Sequence, residues 1–367
     1  MPASVLAPSF LPEAAVLEMT YRCNHQCLFC SCPWEAPSSN YIRSEELDTD
    51  EWKNCIEKLC EMGVNSFSFT GGEPLLKKDF KEILKFASSQ KCLFHDKNLN
   101  KSYRAPDLFL ISNGQLVDEE ILSLLKELNV SLSMSLPGLK TYNRHTQSGS
   151  PEKILQLFSK AHAMGIKTTV NISVTRINLH ELFETISNAM IAGADNLLLN
   201  RFLPGGRGLE YLSELMLNEK EIIEALETAE NVLVKANRKG SVGTELPRCI
   251  IFGKKFVNLR VGTMCSAARE FFVVGPEGNI RTCNHSPRQL NHISDIENLK
   301  HNDYWKHFVF KEYHPEMCKE CGLLFNCDGG CREAAHVYRG KLICNDPVFE
   351  AGRKTPVDFK KNQPLTN

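Results

Sequence analysis

The sequence has almost no net charge: 43 lysines and arginines stand against 44 aspartates and glutamates, a formal balance of -1 over 367 residues. With a pI of about 6.8, no global field draws the chain to nucleic acid or to an anionic membrane surface, so any partner must be recognised locally. Long apolar runs are also missing. No segment reaches the roughly 18 uninterrupted apolar residues of a membrane helix. The N-terminal MPASVLAPSFLPEAAV lacks a basic stretch and is broken by three prolines, which excludes a secretory signal. Internal repeats and low-complexity tracts are absent too. What remains is a cytoplasmic globular protein, long enough for one large domain and a smaller one, each with its own core.

Cysteine, by contrast, is abundant. There are fifteen, and a chain without a secretory signal is expected where thiols stay reduced, so metal or redox chemistry is favoured over structural disulfides. They fall into two main groups, at 23–32 and 249–344, with Cys55, Cys60 and Cys92 isolated between them. Cys55 and Cys60 sit on a helical segment and read as core residues.

Between the two groups the chain alternates β-rich runs with helical patterns. The runs are VLEMT (16–20), NSFSFTG (65–71), DLFLISN (107–113), VSLSMSL (130–136), TTVNISVT (168–175) and NLLLNRFL (196–203). Asp48-Thr49-Asp50-Glu51 opens one helix that closes at Gly63, and Ser150-Pro151-Glu152 opens another ending at Gly165. Six βα units predict an α/β fold with a parallel sheet, either open and doubly wound or curved into a partial (βα)6 barrel of the TIM type. The expected domains are a barrel over 14–215, a connecting helix and linker over 216–248, a small cysteine-rich domain over 249–350 containing a strand in REFFVVG (269–275), and a tail over 351–367. The segment 90–106 exceeds a usual αβ loop and reads as an insertion. LPGGRG (203–208) lacks the Lys-Ser/Thr of a phosphate-binding loop and reads as a turn.

The N-terminal group, Cys23-x3-Cys27-x2-Cys30, gathers three thiols where a closed tetrahedral metal site needs four. Alone, the triad fits chance, part of a zinc site, or an iron-sulfur cube with one iron left open. Directly after the second strand comes Gly71-Gly72-Glu73-Pro74. Together the triad, with Phe29 before its last cysteine, and the GGEP stretch resemble the radical SAM enzymes. The resemblance implies a [4Fe-4S] cluster on Cys23, Cys27 and Cys30, its open iron completed by the methionine end of S-adenosylmethionine, with Gly71, Gly72, Glu73 and Pro74 receiving the methionine amine. It further implies reductive cleavage to a 5'-deoxyadenosyl radical that abstracts hydrogen from substrate. Catalytic loops of parallel barrels lie at the C-terminal strand ends, where both motifs, Ser112 and Ser135 are placed. By the same analogy Phe29 faces adenine, Ser135 the ribose or carboxylate, and Asn171 lines the mouth; a packing aromatic and ordinary strand-end hydrogen bonders are the alternatives. Arg144 is a candidate partner for the methionine carboxylate or a solvated surface residue. His25 reads as a solvent-facing spacer and Cys32 as a half-buried loop cysteine.

The C-terminal group reads Cys265, twelve residues, Gly278, four residues, Cys283, then Cys318-x2-Cys321-x5-Cys327-x3-Cys331 and finally Cys344. It resembles the SPASM domain, which carries auxiliary iron-sulfur clusters; structural zinc is the alternative. Two fully ligated cubes need eight thiolates, and Cys249 is the eighth candidate. The family pattern implies Cys249, Cys265, Cys283 and Cys331 around one auxiliary cluster and Cys318, Cys321, Cys327 and Cys344 around the other.

The family resemblance implies an enzyme acting on a ribosomally made peptide or protein, cross-linking or otherwise oxidising it. It also implies a flavodoxin- or ferredoxin-type electron donor. Cys23 leaves no room ahead of it for a leader-binding domain, so a separate leader-binding protein or the 90–106 insertion is expected to serve. Sulfatase-maturing relatives place a basic aspartate where this chain has Asn284, which disfavours that activity. A tetrapyrrole-type substrate, and an electron carrier without radical chemistry, are the remaining alternatives. No catalytic base is identified.

Overall fold

The computed structural model describes residues 10–39, 41, 45–95 and 100–351; the expected tail beyond 351 lies outside them. Strands β1 (Ala14–Glu18) and β2 (Ser66–Thr70) come first, then a short antiparallel hairpin of β3 (Cys92–His95) and β4 (Lys101–Arg104). Next follow β5 (Asp107–Ser112), β6 (Ser131–Ser135), β7 (Thr168–Val174) and β8 (Asn196–Arg201). The order β8-β7-β6-β5-β2-β1 is parallel at every step. These are the six strands marked by the sequence periodicity, and they form the partial α/β barrel. The hairpin lies in the segment expected as an insertion, whose residues 96–99 are outside the described set. It is pinned to the barrel where Asn65 Nδ2 donates to the Leu93 carbonyl at 2.9 Å.

Period-two alternation sets the two faces of this sheet. In β2, SFSFT, Phe67 and Phe69 are fully buried, and Phe69 packs edge-on against Phe80 of the helix Phe80–Ser89 with ring centroids 5.8 Å apart. The alternate residues turn inward: Thr70, Ser173, Asn171 and Asn200 all line cavities at the barrel centre. Barrel interiors are usually filled by bulky branched side chains. Small polar ones leave this interior open.

Helix ends follow the local signals. Asp48 accepts the Glu51 amide at 2.8 Å in a reciprocal capping box that starts the helix Thr49–Glu61. Ser150 caps Pro151–Ala163 through the Lys153 amide. The connecting helix, Glu219–Ala236, also opens on a capping box, at Asn218.

Past that helix the sheet continues beyond the six-strand expectation. Strands β9 (Lys239–Val242) and β10 (Leu259–Val261) extend the β8 edge in parallel, while β11 (Phe271–Val274) runs parallel to β1 and β12 (Ile280–Arg281) turns back on β11. The strand expected in REFFVVG therefore joins the barrel sheet. Phe272, Val273 and Val274 are fully buried, because a parallel strand covered on both faces needs a continuous apolar run. Cys265 and Cys283, which flank β11 and β12, are thereby fixed beside the barrel mouth.

Candidate active site

The cysteine loop leaves β1 under tight control. Thr20 Oγ1 donates to Glu46 at 2.6 Å and the Tyr21 amide donates to the same carboxylate at 2.9 Å. Further along, the Leu28 amide donates to the His145 carbonyl at 2.8 Å and the Gly208 amide to the Cys30 carbonyl at 3.2 Å. The pairing of β1 with β2 continues into GGEP: the Gly72 and Glu73 amides donate to the Thr20 and Arg22 carbonyls, both at 2.8 Å. Only glycine fits at 72, since a Cβ there would lie 2.1 Å from the Arg22 carbonyl oxygen, and Gly71 holds φ at +135°.

Behind these glycines Glu73 ties two strand ends together. Its carboxylate accepts the Ser112 hydroxyl and the Asn113 amide, both at 2.9 Å, and burial pushes its carboxyl up to about 7. The walls so built enclose a cavity of about 490 Å³ lined by Cys23, Cys27, Cys30, Phe29, Gly71, Gly72, Ser112 and Ser135. Burial raises the Cys23 thiol to about 11 and pushes Cys27 well above its ordinary value, whereas a hydrogen bond from Cys32 lowers Cys30.

A second cavity, of about 390 Å³, occupies the barrel lumen. It shares Phe29, Ser31, Cys32, Thr70, Gly71, Ile111 and Ser173 with the first. On its walls lie Cys265, Cys283 and Cys331. Buried carboxylates brace each of their loops. Asp328 Oδ2 accepts the Cys265 amide at 2.7 Å, and Asp346 Oδ2 accepts the Cys331 amide at 2.8 Å while Arg201 forks onto it at 2.9 and 2.6 Å. Beside Cys283, the Thr282 hydroxyl donates to Glu333 at 2.9 Å.

The remaining thiols of the C-terminal group do not line the lumen. Cys327 Sγ accepts the Arg248 and Gly329 amides, each at 3.3 Å, and Cys321 Sγ the Leu323 amide at 3.5 Å. The fully buried Arg332 joins the Gly329 carbonyl to those of Leu342 (3.0 Å) and Cys344 (2.9 Å), which draws the Cys344 loop to this set. Cys249 is half-buried and follows Arg248. Among the described residues no three His, Cys, Asp or Glu side chains gather tightly enough for a single metal ion.

Residues 17–189 match the model of the radical SAM superfamily. This chain carries a radical SAM domain. Across most of its length it is similar to the PqqA peptide cyclase of Bradyrhizobium diazoefficiens, 28% identical over 352 residues that cover 92% of this chain and 86% of that one. It also resembles the PqqA peptide cyclase of Xanthomonas campestris pv. campestris, at 26% over 357 residues, covering 92% and 87%. Among solved structures, Streptococcus suis SuiB bound to S-adenosylmethionine shares its fold with a TM-score of 0.69 at 16% identity, over 92% of this chain and 76% of that one. So does anSMEcpe with bound AdoMet, with a TM-score of 0.69 at 17% identity, over 92% and 94%.

The residues present suit the cofactors of a radical SAM enzyme, a [4Fe-4S] cluster and S-adenosylmethionine. Three thiols share one cavity with the glycines, two of them, Cys23 and Cys27, raised by burial, and iron supplies the positive charge that holds such thiols as thiolates. With both groups bound, the site provides a SAM-derived radical for hydrogen abstraction. The chain's own part is to hold three thiols on one loop, keep two glycine backbones open toward the cofactor, and set that cavity against a lumen with which it shares lining residues.

The sequence-derived contacts distribute unevenly. Phe29, Gly71, Gly72, Ser112 and Ser135 line the cofactor cavity. Glu73 and Pro74 are buried and do not line it. Asn171 faces the lumen, accepting a hydrogen bond from Asn200 at 3.0 Å. Arg144 is exposed and paired with Glu214 at 3.0 Å. His25, expected to face solvent, is 5% exposed, with Nε2 buried and lacking a hydrogen-bond partner. Two arginines unmarked in the sequence reading, Arg22 and Arg207, line the cofactor cavity; Arg207 pairs with Glu35 and donates to the Cys27 carbonyl at 3.3 Å. The lumen also holds three carboxylates that carried no sequence signal, Glu18, Glu245 and Glu333. Glu18 is paired with Arg281 and accepts from Asn284 at 3.4 Å.

Proposed function

We propose that this radical SAM enzyme oxidatively modifies a ribosomally made peptide, most simply by cross-linking it at an unactivated carbon. The observation that carries the reading is the shared wall of the two cavities, with the triad thiols lining one and Cys265, Cys283 and Cys331 lining the other. Hydrogen abstraction at one end and removal of the residual electron at the other is the order of events that an oxidative bond closure requires. Relatives named as PqqA peptide cyclases support a peptide substrate, as do fold neighbours described with the precursor peptide SuiA or the Cp18Cys peptide bound.

In this reading Cys23, Cys27 and Cys30 hold the SAM-binding cluster. Cys265, Cys283 and Cys331 belong to one auxiliary cluster, and Cys318, Cys321, Cys327 and Cys344 to the other. Phe29, Gly71, Gly72, Ser112 and Ser135 contact S-adenosylmethionine, while Glu73 and Pro74 hold the glycine turn from behind and Asn171 with Asn200 meets the peptide. A flavodoxin- or ferredoxin-type protein donates electrons, and a separate leader-binding protein presents the substrate. The cytoplasm suits fifteen reduced cysteines.

The test is anaerobic reconstitution and reduction with S-adenosylmethionine, followed by quantification of 5'-deoxyadenosine and mass spectrometry of a co-expressed candidate peptide encoded beside the gene. The expected result is cofactor cleavage and a peptide lighter by two hydrogens. An unchanged peptide mass with deuterium uptake from solvent would indicate epimerisation instead.

A further inference from the structure

The lumen wall brings Cys265, Cys283 and Cys331 together, one donor short of a cube closed by four protein ligands. Cys249 is the cysteine nearest to Cys265 in sequence, yet the amide of its neighbour Arg248 donates to Cys327 Sγ at 3.3 Å, a thiol of the other set. Cys249 is not among the residues lining the lumen.

Glu245 is among them. Its Oε1 accepts the amide of Ser266 at 3.1 Å, the residue next to Cys265. It lines the same lumen as all three thiols, Cys265, Cys283 and Cys331. One buried arginine fixes it relative to them: Arg201 Nη2 donates to the Glu245 carbonyl at 2.9 Å, and the same guanidinium grips Asp346, which holds the Cys331 amide. Other nearby carboxylates are already committed. Glu333 takes Thr282, Tyr304 and His336; Asp328 takes the Cys265 amide and the Lys311 ammonium; Glu18 takes Arg281.

We propose that Glu245, and not Cys249, is the fourth protein ligand of the auxiliary cluster held by Cys265, Cys283 and Cys331. This rests on the reading of that site as an iron-sulfur centre. A carboxylate oxygen is a harder donor than a thiolate and places less electron density on its iron, so this cluster has a higher reduction potential than an all-thiolate counterpart. The cluster facing the lumen is then the easier of the two to reduce, which suits an acceptor for the electron left on a substrate.

The test uses the full-length protein with Cys23, Cys27 and Cys30 changed to alanine, so that only auxiliary clusters contribute to iron content and to the paramagnetic resonance spectrum. In this background Glu245→Ala is expected to shift or abolish one auxiliary signal. Glu245→Cys is expected to keep its iron and lower its midpoint potential, and Cys249→Ala to leave both signals unchanged. The second auxiliary signal, from Cys318, Cys321, Cys327 and Cys344, reports in every variant that the domain has folded. A signal that is lost or shifted by Cys249→Ala but not by either Glu245 substitution overturns the assignment. Absence of any auxiliary signal from the triple-alanine parent overturns instead the reading on which it rests.

Discussion

Replacing Gly72 by alanine tests the site at its tightest contact. The added Cβ would fall 2.1 Å from the Arg22 carbonyl oxygen and 3.0 Å from that of Tyr21, and neither is a flexible side chain able to step aside. To relieve the overlap the GGEP backbone and the cysteine loop must part by about 1 Å, since real Cβ contacts essentially never fall below 3.0 Å. That movement pulls on the two bonds closing this turn, Gly72 to Thr20 and Glu73 to Arg22, each contributing about 1 kcal/mol. The larger consequence is positional. The glycines and the triad thiols face one another across a single cavity, and misplacing a reactive arrangement by about 1 Å costs on the order of 100-fold in rate, or about 2.7 kcal/mol. Gly72→Ala is therefore expected to fold, to bind iron, and to cleave S-adenosylmethionine about 100-fold more slowly. The assay is 5'-deoxyadenosine formation by reduced protein at matched iron content, with circular dichroism as the folding control. Cleavage within twofold of the unaltered protein would refute the claim that this close approach sets the cofactor geometry.

Other outcomes follow from the same structure. Arg207→Ala is expected to weaken S-adenosylmethionine binding at least tenfold by calorimetry, because Arg207 lines the cavity and steadies the Cys27 carbonyl; Arg144→Ala, which removes an exposed pair with Glu214, is expected to change it less than twofold. Asp346→Ala leaves the buried Arg201 without its carboxylate and frees the Cys331 amide; a loss of about 3–5 kcal/mol in urea unfolding is expected, with reduced auxiliary iron. Glu73 has a carboxyl raised by burial to about 7 from an ordinary 4.5, so the folded state holds a proton that the unfolded state has released. Its contribution is present in full below the unfolded value and fades as pH rises through 7, giving about 1 kcal/mol less stability at pH 8 than at pH 6. Glu73→Gln is expected to flatten that difference in thermal midpoint.

Much of this arrangement can be read along the chain because its causes are local. Alternating SFSFT and SLSMS mark strands with one packed and one open face, Asp48 and Ser150 mark helix starts, and the short triad and GGEP spacings keep their partners within one loop or one turn. The Glu73 carboxylate shows where such reading stops: the motif is visible, but its bonds to Ser112 and Asn113, 39 and 40 residues away, depend on β2 lying beside β5. Arg207 and Glu245 carry no local pattern at all, and an arginine in a glycine-rich turn is indistinguishable from any solvated one until the turn packs under the Cys30 carbonyl. FFVV reads as a strand without revealing its partner, because an apolar run fits any covered sheet edge.

The sequence by itself determined the six parallel strands, the three-thiol loop and the wealth of cysteine beyond it, since periodicity and short spacing act over a few residues. Only the tertiary structure decided that β11 would pair with β1, that two cavities would share a wall, and which carboxylates would stand beside which thiols. Those outcomes come from hydrogen bonds and buried contacts between segments up to 266 residues apart, such as Asn284 with Glu18, and no local signal records them before the chain has closed.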